Sequence, residues 1–316
     1  MLGRKWDTVH EGRDGWLFLT GGSNRVMDRY ARGLVGGLRH WWHLRGWARL
    51  MEARAARAGR LGIRCLHVIV PEKLSVYENH TRDLPYDPAQ ASTRRLARRL
   101  AGKPYYLDLL SPFRAARDGP VPLYLRTDTH WTIEGCLLAY REIMRALAAV
   151  PPADIAERPD YAEERVLDLG EKLPHQPTER LRRPQIQRDA VRVETGTLLA
   201  AYEAAGRAKD LHVGAHVVYR NEAAPDPRRL VLFGDSCAHF APILLTGYLA
   251  ESFAEVHFVW SSSLDWGYVE RVRPDILLFE LAERFLARLP ADDFDVRAGH
   301  RAGGRPVPTE AAAAVS

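Results

Sequence analysis

One serine, one histidine and one aspartate in this chain are placed where acyl chemistry could be done. Ser236 follows a run, Arg229-Leu-Val-Leu-Phe233, that reads as a buried strand leading into Gly234-Asp235-Ser236. A serine leaving a strand in this way stands at the carboxyl edge of the sheet, where open α/β sheets bind their ligands. Gly234 permits a tight turn, and N–H groups opening the helix-like segment beyond could face an anionic oxygen. Most loop serines only cap a helix or turn the chain, so Ser236 needs a base and a group that orients the base. Thr127-Asp-Thr-His-Trp131 offers both. The stretch 123–130 reads as extended, and in a strand residues two apart share a face, so Asp128 and His130 lie side by side. On a helix the same two residues would diverge by roughly 200°. Asp128 could then hold one imidazole nitrogen and leave the other for the serine hydroxyl. Alternatively Asp128 merely caps and His130 is a satisfied polar residue; the presence of Ser236 weighs against that.

The elements needed to carry these residues are those of an α/β fold. Arg64-Cys-Leu-His-Val-Ile-Val70 is a near-continuous apolar run that ends at Pro71, the pattern of a central parallel strand buried on both faces. A loop is expected over 71–77, an arginine-rich helix over 90–101, and a short strand followed by a helical stretch from Tyr105. Thr132 is placed to cap a helix with Glu134 in its first turn. That helix carries Ile133, Leu137, Tyr140, Met144 and Leu147 at steps of four and three until Pro151-Pro152 stop it. The segment 151–228 is rich in Pro, Arg and Glu and reads as an insertion, with a strand expected over 212–219. Beyond Ser236 a helix is expected over about 242–253, then strands over 255–260 and 275–281. Strands alternating with helices predict a parallel sheet flanked by helices. Gly12-Arg-Asp-Gly-Trp-Leu-Phe-Leu19 reads as a turn and a short aromatic strand. A helix over 34–57 carries Trp41, Trp42 and Trp47, for which buried helix packing is a better reading than a stacking platform for sugars.

Composition narrows the classes. At 316 residues, 46% apolar and 27% charged, the chain suits one large globular domain, expected over 1–298 with a disordered Gly/Pro/Ala-rich tail over 299–316. No run of about 18 apolar residues is present, and the first residues have no apolar core of a secretory signal. The expectation is therefore a reduced, cytoplasmic protein, or a periplasmic one if the start lies elsewhere. Cys65, Cys136 and Cys237 cannot form a paired framework, and none has metal-ligand spacing. The net charge of +5 comes from scattered arginines, which suit a solvated surface or an anionic acceptor better than a nucleic-acid footprint.

Three motifs in a fixed order carry a resemblance. Asp128-Thr-His-Trp131, Gly234-Asp-Ser236 and Glu283-Arg-Phe-Leu286 resemble the alginate O-acetyltransferase family of the AlgJ/AlgX type. Gly12-Arg-Asp-Gly-Trp-Leu-Phe18 and Asp168-Leu-Gly-Glu-Lys-Leu173 resemble it as well. The resemblance implies an SGNH hydrolase-like fold with a circularly permuted motif order, in which Asp and His precede the serine. It implies Ser236 as nucleophile, His130 as base and Asp128 as the group that orients it. Arg284, Asp235 and Trp131 become candidates for the substrate or oxyanion site: Arg284 for developing negative charge, unless it only pairs with Glu283 or Glu280, and Trp131 for a stacking face.

Three functions follow from this reading. The first is an O-acetyltransferase acting on a polysaccharide or other sugar-bearing acceptor, with a membrane-bound O-acyltransferase as a candidate acetyl donor. The second is a carbohydrate esterase using the same triad, and the third a non-catalytic glycan-binding scaffold. No metal or cofactor is expected, and no phosphate-cradling glycine loop supports a nucleotide-linked donor. A transferase further requires a shaped acceptor groove, for which 151–228, with Tyr202 and Tyr219, and the Trp-rich helix are the candidate walls.

Overall fold

The computed structural model describes residues 8–22, 24–30, 34–240 and 245–301, with backbone alone for 34–39 and 301. A hairpin of β1 (Val9–Glu11) and β2 (Leu17–Leu19) precedes the long helix α1 (Leu34–Arg60). Then come β3 (Arg64–Val70), α2 (Lys73–Val76), α3 (Ser92–Arg99), β4 (Tyr106–Asp108), α4 (Leu110–Ala116) and α5 (Ile133–Ala146). The middle of the chain forms β5 (Asp160–Val166), β6 (Thr178–Pro184), β7 (Val191–Thr195), α6 (Thr197–Ala204) and β8 (His216–Arg220). The last third forms β9 (Asp226–Gly234), α7 (Leu245–Ser252), β10 (Phe253–Trp260), α8 (Trp266–Val272) and β11 (Ile276–Ala282).

Seven strands make the central sheet, in the order β4-β3-β11-β9-β10-β8-β7. The five from β4 to β10 are parallel, as the apolar runs predict, while β8 and β7 are added antiparallel at one edge. Strand pleating sends alternate residues to opposite faces. Leu66, Val68, Leu230, Leu232 and Leu278 therefore face a core closed by α4, α5 and α7. Ile69, Val231, Phe233, Leu277 and Phe279 face a second core under α1, α3 and α8. Each such side chain, buried on a helix-covered face, contributes about 1.5–3 kcal/mol.

Several expected details differ. The stretch 71–77 contains the single turn of α2 rather than only a loop. Within 151–228, only the β5–β6 hairpin stands apart as its own two-stranded sheet; β7 and β8 extend the main sheet, with β8 starting at His216 rather than 212. Trp47 is fully buried, but Trp41 and Trp42 are 39% and 57% exposed, so the expected packing holds for only one of the three. A turn, not a helix, follows Ser236 directly; of the helix expected over about 242–253, α7 forms Leu245–Ser252, and 242–244 lie outside the described residues. Apart from its first three residues, the tail expected from Gly299 lies outside the described residues; His300 and Arg301 pair with Asp295 and Phe294. No helix among the described residues is long and apolar enough to cross a membrane.

Candidate active site

The carboxyl ends of three adjacent strands converge. β9 delivers Asp235 and Ser236, β11 delivers Glu283 and Arg284, and β3 delivers Glu72 and Lys73. Gly234 is required by close approach: a Cβ there would lie 2.8 Å from the Ala238 Cβ and 3.1 Å from Oε2 of Glu280. Asp235 folds the turn around its own carboxylate, which accepts from the Cys237 N–H at 2.8 Å and the Ala282 N–H at 2.6 Å. The turn is thus tied to the end of β11. Asp235 serves that structural purpose and does not face a substrate site through its carboxylate. Beneath it, Oε2 of Glu280 accepts from the Asp235 N–H at 3.2 Å. Burial pushes both carboxyls up, and the charge of Asp235 raises Glu280 further.

Arg284 reaches Ser236 directly. Its Nη2 donates to the Ser236 Oγ at 3.2 Å, while its Nη1 and backbone N–H donate to Oε1 of Glu72 at 3.1 and 3.2 Å. The ion pair expected with Glu283 or Glu280 is made with Glu72 instead. Burial works to lower the guanidinium's pKa, but the charges around it, Glu72 foremost, hold it above its ordinary value. Glu283 points the other way, accepting from the Glu72 and Thr93 N–H groups and the Ser75 hydroxyl.

Asp128 and His130 are side by side, though not for the reason the sequence suggested. Residues 125–130 form a turn, not a strand, closed by a bridge between Tyr124 and Trp131 and by a 3.1 Å bond from the Leu125 N–H to the His130 carbonyl. One oxygen of Asp128 accepts from the His130 N–H at 2.8 Å and pairs with Nδ1 at 2.6 Å. Burial opposes both charges, but the attraction within the pair wins, so Asp128 is held below the usual carboxylate range and His130 is raised. Nε2 of His130 is buried and makes no hydrogen bond. The structure therefore joins Asp128 to His130 and Arg284 to Ser236, without a hydrogen bond between the two halves. Trp131 is fully buried in the core beside Tyr124 and offers no stacking face. Thr132 caps α5 as expected, accepting from the Gly135 N–H at 3.2 Å.

Sequence reasoning gave no role to the residues that hold the turn, although Asp168 opens one of the motifs that carry the resemblance. Glu179 of β6 accepts from the Arg126 N–H, the Thr127 N–H and the Thr127 hydroxyl at 2.7–2.8 Å. Asp168 accepts from the N–H and hydroxyl of Thr129 at 2.9 and 2.7 Å. Lys73 donates to the carbonyls of Leu125 and Arg126, each at 2.9 Å. Glu72 and Lys73 follow directly on a buried parallel strand, the positional signal that singled out Ser236; Glu179 has no such local signal. Asp128, His130 and Asp168 bring possible metal-ligating atoms within 4.8 Å of one another. Asp168 is engaged by Thr129, and Asp128 by His130, so the trio reads as a hydrogen-bonded brace. Between the turn and the β5–β6 hairpin lies a cavity of about 500 Å³ edged by Arg126, Glu164, Arg180 and Arg182. It reaches Thr127 but neither His130 nor Ser236. Tyr202 and the tryptophans of α1 do not line it, and Tyr219 lines a different, 390 Å³ cavity with Tyr161 and Phe240.

Known proteins share both sequence and shape with this chain. The family model for the SGNH hydrolase-like domain of acetyltransferase AlgX matches residues 9–206, which include Lys73, Asp128, His130, Asp168 and Glu179 but not Ser236 or Arg284. A probable alginate O-acetylase AlgJ of Pseudomonas fluorescens is 29% identical over 143 residues, 45% of this chain and 34% of that protein. The match thus spans about a third of the relative's length. Among solved structures, the O-acetyltransferase domain of Pseudomonas putida AlgJ superposes with a TM-score of 0.56 at 17% identity, covering 91% of this chain and 95% of that one. Bacillus cereus PatB1 superposes with a TM-score of 0.59 at 14% identity, covering 87% and 96%. At such identities the likeness is one of fold.

Proposed function

The chain belongs to the family of the SGNH hydrolase-like domain of acetyltransferase AlgX, and from that premise we propose that it is an O-acyltransferase. Ser236 would take up an acetyl group and deliver it to a hydroxyl of a polysaccharide or other sugar-bearing acceptor. The observation that carries this reading is the pairing of the Ser236 hydroxyl with Arg284 at the end of β9, beside an Asp128–His130 pair whose Nε2 has no partner. Nε2 takes the serine proton as Oγ attacks the acetyl carbonyl, and Asp128 steadies the imidazolium that forms. Arg284 stands where negative charge develops on the carbonyl oxygen. As the tetrahedral species collapses, the imidazolium returns its proton to the departing donor oxygen. A sugar hydroxyl then attacks the acyl-serine by the same route. The Ser236–His130 hydrogen bond that this requires forms when the donor is bound, since catalytic hydrogen bonds tighten in the Michaelis complex.

Incubation with an activated acetyl ester, followed by mass spectrometry, tests the reading. The wild-type chain should acquire one acetyl group on Ser236, and Ser236→Ala should acquire none. Adding hydroxylated sugar oligomers should then yield acetylated sugar, because a well-placed bound hydroxyl can present an effective molarity of 10⁵ M or more against roughly 55 M water. Acetate as the sole product across a broad acceptor panel would make the protein an esterase.

A further inference from the structure

We propose that Glu72 and Lys73 are positioning residues that set the distance between the two halves of the site, Glu72 by holding Arg284 and Lys73 by holding the turn that bears Asp128 and His130. The proposal rests on the reading of Ser236 and His130 as nucleophile and base. The two residues are consecutive at the carboxyl end of β3, both buried, and their side chains diverge. One oxygen of Glu72 receives both the backbone N–H and Nη1 of Arg284, whose Nη2 lies on the Ser236 Oγ. The Lys73 ammonium donates to the carbonyls of Leu125 and Arg126, three and two residues before Asp128. The peptide link between Glu72 and Lys73 is therefore a rigid spacer between the nucleophile side and the base side.

The lysine is an expensive way to hold a turn, which argues against an incidental role. A buried ammonium is costly unless its charge is compensated, and here its hydrogen bonds go to carbonyls rather than to a carboxylate. Compensation comes from a distance, from Asp128, Asp168, Glu179 and Glu72, and from the faces of Trp16 and Phe18 at 5.7 Å. The balance is incomplete, and burial lowers the ammonium to about 8. The contact also explains the aromatic pair in the 12–18 motif: it covers the ammonium, and the Leu17 N–H between the two rings donates to the Arg126 carbonyl at 2.9 Å.

The test uses Lys73→Met and Glu72→Gln, alone and together, in the full chain. Acylation by an activated acetyl ester is followed by stopped flow, and the His130 ring titration by NMR. Lys73→Met should lower the acylation rate on the order of 10²-fold, the cost of a displacement of about 1 Å in a reacting group, with KM for the small ester unchanged. The His130 titration should move down toward about 6.5 as Asp128 loses its register. The double variant should lose less than the product of the single losses, because both act on one distance. Unchanged acylation and an unchanged His130 titration in Lys73→Met would overturn the proposal. So would a rate loss that tracks a lower melting temperature while His130 titrates as before. If wild type is not acylated at Ser236, the functional reading falls, and the His130 titration alone still decides whether Lys73 positions the turn. If Lys73→Met does not fold, Lys73→Gln, which keeps a donor on a shorter, neutral side chain, carries the test: it should slow acylation and move the His130 titration down, and no change in either overturns the proposal.

Discussion

At the scale of single residues, the candidate site is two pairs, Glu72–Arg284 and Asp128–His130, of which the first reaches the Ser236 hydroxyl. Arg284 is fixed by Glu72 and spends its second nitrogen on Ser236, so Arg284→Met should lower acylation about 10²–10³-fold, the usual loss for an oxyanion donor. Arg284→Lys should recover little, since an ammonium cannot span Glu72 and Ser236 as the planar fork does. Single-turnover acylation of both variants checks this. In the proposed mechanism His130 must be neutral to accept the serine proton. Burial alone would lower its pKa, but Asp128, and after it Asp168, outweigh burial and raise it above its ordinary value. Acylation should therefore rise with pH through a midpoint above about 6.5, the ordinary imidazole value. Asp128→Asn should move that midpoint down while lowering the rate about 10⁴-fold through the wrong tautomer. A pH–rate profile of acylation for the two proteins shows both effects.

At the scale of elements, the proposed base is carried by a turn that other elements hold from three sides. β6 supplies Glu179, the segment after β5 supplies Asp168, and the end of β3 supplies Lys73. Glu179→Ala removes three hydrogen bonds from the turn while leaving the β5–β6 ladder intact. Amide exchange at Arg126 and Thr127 should quicken in that variant without faster exchange in β5, and acylation should fall on the order of 10²-fold. Slower acylation with unchanged exchange at the two amides would count against this view of the hairpin. The same turn marks the limit of what the sequence disclosed. The adjacency of Asp128 and His130 was legible from their spacing, but a tight turn brings residues two apart together as well as a strand does, and local pattern does not separate the two. Trp131 read as an exposed face beside a polar motif; the bridge to Tyr124 turns it into the core instead. Glu179 could not be found, because its partners are about fifty residues away in the chain and only the hairpin's docking brings them close.

At the scale of the whole molecule, the SGNH hydrolase-like sheet was the most legible feature. Runs such as 64–70 and 275–281 carry their burial on both faces in their composition, and that decides a parallel, helix-covered sheet. The edge strand β7 was harder to see, since an antiparallel strand at a sheet edge needs no apolar run, whereas β8 beside it was expected over 212–219 and lies at His216–Arg220. Closure of the second core depends on Arg54, which leaves α1 to meet three distant parts of the chain. It donates to both oxygens of Asp292 at 2.5 and 3.0 Å and to the Ser262 carbonyl at 3.1 Å, and stacks over the Phe279 ring at 4.3 Å. Arg54→Met should cost about 3–5 kcal/mol, the penalty for leaving a buried partner unpaired, and Arg54→Met with Asp292→Asn should recover part of it. Denaturant unfolding of the two variants measures both.

The place of β11 in the sheet bears on how the protein comes into being. β11 is the last strand of the sheet to be made, yet it lies between β3 and β9 and carries Glu280 and the approach to Arg284. While the chain is being synthesised, β3 and β9 emerge with nothing to pair along their facing edges, and such unpaired edges invite association with other chains. Only when residues 276–282 enter the gap do the two halves of the sheet become one, a long-range step that topology makes slow. The turn that bears His130, the proposed base, is complete long before then, but Arg284, the proposed oxyanion donor, arrives with the closing strand. A chain truncated ahead of that strand would keep Ser236, Asp128 and His130 and still lack the middle of its sheet, so under the proposed mechanism acylation would certify that synthesis has run to the end of β11.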